Sequence, residues 1–172
     1  NVYKGEVRFL RALTYFDLVQ SFGGVILYDK LPENAADSKR TKSSKEEVLS
    51  FIQEDLDFAI ANLPDVVYSG HAIKGSAMAL KARVLLYEQK WAEAAALSMD
   101  IINSGKFNLS NNYSEMFLEA GQVGNPEIMF STQYLSPNSP QHSIEGMDIE
   151  FGRYGSIWGY QDLVDDYELT DG

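Results

Sequence analysis

Carboxylates are the side chains with the widest chemical reach in this sequence, which sets 25 Asp and Glu against 14 Lys and Arg over 172 residues. Glycoside hydrolysis needs two of them facing one another across a cleft. Glu54, Asp55 and Asp57 fall instead on a helical stretch beside its apolar stripe, where a solvated acidic face is expected. Asp165, Asp166, Glu168 and Asp171 gather oxygens that would suit a hard cation, but the alternating donors of a calcium loop are missing. Surface acidity is the expectation there. His71 and His142 have no recognisable partner and read as solvent-facing loop residues. A nucleophile elbow, a paired-histidine zinc motif and a Walker loop are all missing. Gly152-Arg153-Tyr154-Gly155 and Gly159 lack the Gly-x-Gly start and capped helix of a phosphate loop. The chain therefore reads as non-enzymatic, without cofactor or metal.

The stretch best suited to binding is Phe151 to Tyr160, where aromatic residues alternate with glycines around Arg153. Flat rings suit the C–H face of a sugar, and neighbouring polar groups such as Gln161 and Asp162 would fix hydroxyls. Tyr154, Trp158, Tyr160 and Arg153 are the candidate ligand contacts. The competing reading is that these rings pack the loop onto helices. For Trp158 both readings stay open, and for Phe151 packing is favoured.

Composition sets the frame. A net charge of −11 argues against nucleic acid, whose phosphates need a basic face. An apolar content of 45% excludes wholesale disorder. Having no cysteine removes disulfides, thiolate zinc and a cysteine nucleophile. No apolar run nears the roughly 20 residues of a membrane-spanning helix, and none of the given residues reads as a signal peptide.

The elements that must carry these residues are mostly helical. A first helix is expected over Gly5 to Phe22, with Phe9, Ala12, Leu13, Phe16 and Val19 on one stripe. Val2, Tyr15 and Phe22 extend that stripe, and Gly23-Gly24 ends the helix. Ser44 and Glu47 form a capping box that opens a second helix, closed by Pro64. A third helix, about Ser76 to Gln89, is apolar nearly all round and should sit centrally. A fourth follows from Trp91 to about Ser104, capped by Gly105. One helical turn is expected after Asn111-Asn112, ending near Phe117, and Ile128 to Tyr134 reads as a strand or extended buried segment. Residues 136–159 show no period, and helical spacing returns over Gln161 to Leu169.

Within the third and fourth helices, Ala82, Trp91 and Ala94 have the spacing of a tetratricopeptide helix pair. The small residues would let the helices approach, with Trp91 wedged at the turn. Tyr87 and Trp91 are expected in the core. A generic alanine-rich hairpin is the alternative.

A wider constellation is more specific. Gly5-Glu6-Val7-Arg8-Phe9-Leu10-Arg11-Ala12, Tyr15-Phe16-Asp17-Leu18 and Phe22-Gly23-Gly24-Val25 resemble the hallmark segment of the SusD/RagB family. The agreement continues in order through Leu63-Pro64, Ala82-Arg83-Val84, Asn103-Ser104-Gly105, Asn125-Pro126-Glu127-Ile128 and Leu163-Val164-Asp165-Asp166-Tyr167. The resemblance implies a mainly α fold, a tetratricopeptide-like superhelix of helical hairpins joined to a loop-rich ligand-binding region. Residues 1–135 would be the scaffold and 136–172 the loop-rich part, continuing into a missing C-terminal region. It further implies an internal fragment of a surface-exposed outer-membrane lipoprotein, with signal and lipidated cysteine upstream of Asn1 and membrane contact only through that anchor. Such a protein binds a glycan or oligosaccharide and passes it to a SusC-like TonB-dependent transporter. A tetratricopeptide-type scaffold for peptide or protein partners is the alternative.

Overall fold

The computed structural model describes residues 1–118, 121 and 124–132. Packing divides the chain into two units, Asn1–Ser131 and Thr132–Gly172. The first consists of two helical hairpins and the segment that follows them.

Helix α1 (Val2–Phe22) starts three residues earlier than its apolar pattern required, and buries Gly5, Phe9, Ala12, Phe16 and Val19. Gly5 meets Leu63 at the far end of the second helix, so the pair runs antiparallel. Val2 and Phe22 are exposed, contrary to the expected stripe. They lie at the two ends of α1, where the partner helix runs out.

Two adjacent glycines then do different jobs. Gly23 takes φ 69°, a backbone conformation that disfavours side chains, and its N–H reaches the Val19 carbonyl at 2.9 Å. Gly24 lets two strands of backbone touch, since a Cβ there would lie 2.0 Å from the Ser43 carbonyl oxygen. Gly24→Ala is therefore expected to cost about 1–3 kcal/mol by forced backbone displacement. A chemical-denaturation midpoint measures it, and an unchanged midpoint would contradict this account.

Helix α2 (Lys45–Asn62) opens on the anticipated box: Ser44 Oγ accepts from Glu47 N–H at 3.1 Å, and Glu47 Oε2 accepts from Ser44 N–H at 2.8 Å. Its Val48, Ile52 and Leu56 are fully buried against the α1 stripe. This interface is the centre of the core.

Helix α3 (Lys74–Tyr87) is tied to α2 by Lys74 N–H donating to the Pro64 carbonyl and by a Lys81–Asp57 ion pair. At its start Ser76 Oγ accepts from Ile73 N–H and donates to the Ile73 carbonyl, both at 2.8 Å. It packs against α2 and α4 and touches α1, the central place expected of it.

Helix α4 (Trp91–Asn103) follows after three residues, with Gln89 at φ 60° and Lys90 N–H bonded to the Leu85 carbonyl at 2.9 Å. Ala82 and Ala94 are buried as the close approach requires. Tyr87 and Trp91 are not core: they are 58% and 61% exposed. Backbone hydrogen bonds close this turn, so no wedge is needed, and Trp91 stays largely in solvent. Tyr87 keeps only an edge contact with Phe16 at 5.2 Å.

Beyond Gly105 a 3-10 turn spans Ser114–Phe117. The run expected as a strand or an extended buried segment is neither paired as a strand nor buried among the described residues: Ile128 to Ser131 is half-buried, with a bend at Met129. Phe130 packs edge-on to Phe9 at 4.9 Å, and Ser131 N–H donates to Tyr68 Oη at 3.3 Å. Gln133, Tyr134, the aperiodic 136–159 stretch and the helical spacing of 161–169 lie outside the described residues. Among those described, no helix is long and apolar enough to cross a membrane.

Candidate functional site

Two arrangements in the helical unit place polar chemistry beside buried surface. The first is the contact of α1 with α2. Asp55 sits on the α2 stripe one turn after Ile52 and is 1% exposed, not solvated as its neighbours suggested. Arg11 grips it bidentately, Nε to Oδ2 at 2.6 Å and Nη2 to Oδ1 at 2.8 Å, and Arg8 Nε lies 3.6 Å from Oδ1. Phe58 lies under Arg8 and Phe51 under Arg11, 4.2 and 4.5 Å from the ring centres. The hydrogen bond to Asp55 raises the Arg11 pKa above its ordinary value. Both Asp55 oxygens are thus committed to guanidinium groups.

From this pair the network runs outward. Arg11 Nη1 donates to the Asp29 carbonyl at 3.0 Å, and Arg40 Nη1 donates to the Leu27 carbonyl and to Asp29 Oδ1 at 2.9 and 3.1 Å. The Arg40 hydrogen bond holds the Asp29 carboxyl below the usual carboxylate range. Tyr15 Oη accepts from Tyr28 N–H at 2.8 Å. The polar connection between α1 and α2 is thus strapped to α1 and braced across itself by Arg40. A sequence signal existed, because Arg8 and Arg11 stand one turn apart on α1 and Asp55 interrupts an otherwise apolar stripe.

The second arrangement is a cavity of about 610 Å³ between α1, α3 and the 125–131 segment. Phe9, Leu13, Leu80, Ile128 and Phe130 supply apolar walls, and Ser76, Arg83, Asn125, Glu127 and Ser131 the polar groups. Asn125 is occupied, donating to the Gly121 carbonyl and accepting from Glu127 N–H, each at 2.9 Å. Glu127 Oε1 accepts from Ser110 N–H at 2.6 Å. Nothing in the sequence singled out this cavity, since its walls come from four separate segments, Met116 of the 3-10 turn included.

The anticipated ligand contacts Arg153, Tyr154, Trp158 and Tyr160 lie outside the described residues, as do His142 and the acidic group from Asp165 to Asp171. His71 is exposed as expected, although it does have a partner: its Nδ1 lies 3.1 Å from Glu6 Oε1.

The comparisons with known proteins agree with one another. Residues 1–86, half of the chain, match a SusD-like family described as starch-binding and associating with the outer membrane. A SusD-like protein of Formosa agariphila is 29% identical over 177 residues, covering 96% of this chain and 35% of that protein. A solved SusD-like structure from Bacteroides fragilis is 37% identical with a TM-score of 0.69, over 77% of this chain and 27% of that one. The structure of a laminarin-binding SusD-like protein aligns at 30% identity and TM-score 0.70, over 75% of this chain and 30% of that one. The chain spans about a third of the length of the curated relative from Formosa.

Proposed function

The chain belongs to the SusD-like family, and from that premise we propose that it is part of a non-catalytic glycan-capturing protein of the outer-membrane surface. In this reading residues 1–135 form the rigid scaffold and 136–172 present the ligand contacts, with Tyr154, Trp158 and Tyr160 offering ring faces and Arg153 a hydrogen-bonding fork. The bound oligosaccharide is passed to a SusC-like TonB-dependent transporter, and a lipid anchor upstream of this chain holds the protein to the membrane.

The observation that carries the reading is the family match together with a laminarin-binding relative of the same fold. Calorimetry of the intact protein against laminarin oligosaccharides and a glycan array tests it. Saturable binding without release of shorter products is expected. Binding to peptides and to no glycan would overturn the sugar reading, while turnover of a bound glycan would overturn the non-catalytic one. Within it, Trp158→Ala is expected to weaken the glycan by about tenfold or more, as loss of a buried aromatic anchor does. Unchanged affinity would remove Trp158 from the site.

A scaffold role toward a peptide or protein partner is the second reading. It is favoured by one feature, the row of Trp91, Met99 and Ile102 exposed along α4.

A further inference from the structure

We propose that the cavity between α1, α3 and residues 125–131 binds a small organic acid with an apolar body, its carboxylate held by Arg83. The assignment stands apart from glycan capture and concerns a different part of the molecule.

Arg83 is the starting point. Among the described residues it has no hydrogen bond, ion pair or ring contact, whereas Arg8 and Arg11 share Asp55 and Arg40 holds Asp29. A chain of net charge −11 thus leaves one described guanidinium unneutralised, and it lines a cavity. A guanidinium presents a planar fork of donors matched to the two oxygens of a carboxylate.

The remaining lining decides what is attached to that carboxylate. Ser76 Oγ is consumed by both backbone groups of Ile73. Asn125 uses its amide on Gly121 and Glu127, Glu127 Oε1 is taken by Ser110, and Ser131 Oγ shares a hydrogen bond with Tyr68 Oη at 3.3 Å. A polyhydroxylated ligand needs a partner for each hydroxyl it desolvates, and these groups offer few. Leu13, Ile128 and Phe130, each half-buried, instead offer apolar contact, rewarded in proportion to area buried. Glu127 is the one anionic side chain of the lining, so the acid must enter with its carboxylate at the Arg83 end. The volume of about 610 Å³ lies in the range of small-molecule sites.

The test uses 3-phenylpropionate and its neutral isostere 3-phenylpropanamide, titrated into the intact protein that contains this chain by NMR and calorimetry. The acid is expected to bind saturably, with the amide at least tenfold weaker. Arg83→Gln should bring the acid to the level of the amide and leave the amide itself unchanged. Arg83 is exposed, so the variant should fold, and its circular-dichroism melt checks this. An Arg83→Lys variant that restores preference for the acid over the amide adds support. Equal affinity for acid and amide would overturn the proposal. So would acid binding indifferent to Arg83→Gln, or no binding of either compound at millimolar concentration.

Discussion

Asp55→Ala is expected to lower the unfolding free energy of the helical unit by about 3 kcal/mol, the lower part of the range for breaking a buried ion pair. The loss comes less from the vanished attraction than from what remains. Arg11 and Arg8 would face an apolar interface without their carboxylate, and Arg11 would have only the Asp29 carbonyl to bond. The lower figure applies because the arginine side chains keep 25–30% of their surface in solvent, against 2% for Asp55. Urea denaturation followed by circular dichroism reads the change. A loss below about 1 kcal/mol would place the pair with exposed salt bridges, which contribute little. Asp55→Asn keeps one acceptor and should fall between the wild type and Asp55→Ala.

Ile52→Ala should cost about as much or more, 3–4 kcal/mol, by an unrelated mechanism. Ile52 is 0% exposed in the α1–α2 interface, so truncation leaves a void that Phe9, Phe16 and Leu56 are too tightly set to fill. Ile52→Val removes one methylene and should cost only about 1 kcal/mol. The same denaturation series measures both, and equal losses for the two substitutions would contradict a cavity mechanism. Ile52 and Asp55 stand one turn apart, so a double substitution should depart from the sum of the singles. Either change alone removes a large part of the 5–15 kcal/mol that stabilises an ordinary domain.

What could be read in advance from residues divides by range. The Ser44–Glu47 box and the Gly23 stop involve partners within four residues, and both were legible. The α1 and α2 stripes followed from periodicity because one face of each helix meets a continuous partner. Asp55 was not legible as a buried group, since its partner is 44 positions upstream and no local rule links them. Trp91 misled for a related reason. Helical spacing says which residues share a face but not which face finds a neighbour, and the α4 face bearing Trp91 finds none among the described residues. Glycine at 24 was read as a helix terminator, while its actual constraint is the Ser43 carbonyl across the connection. The cavity around Arg83 needed four segments to be folded before it existed at all.

The two hairpins also differ in how far apart along the chain their halves lie. Only three residues separate α3 from α4, whereas 22 separate α1 from α2. Closing the shorter connection sacrifices less chain entropy, and local contacts form fastest. The α3–α4 pair is therefore the natural nucleus of assembly, and the Arg11–Asp55 grip is made late, after the long connection has found its place. In such an order Asp55 holds the finished unit shut and has little part in building it, so its removal shortens the lifetime of the native state more than it slows the approach to it.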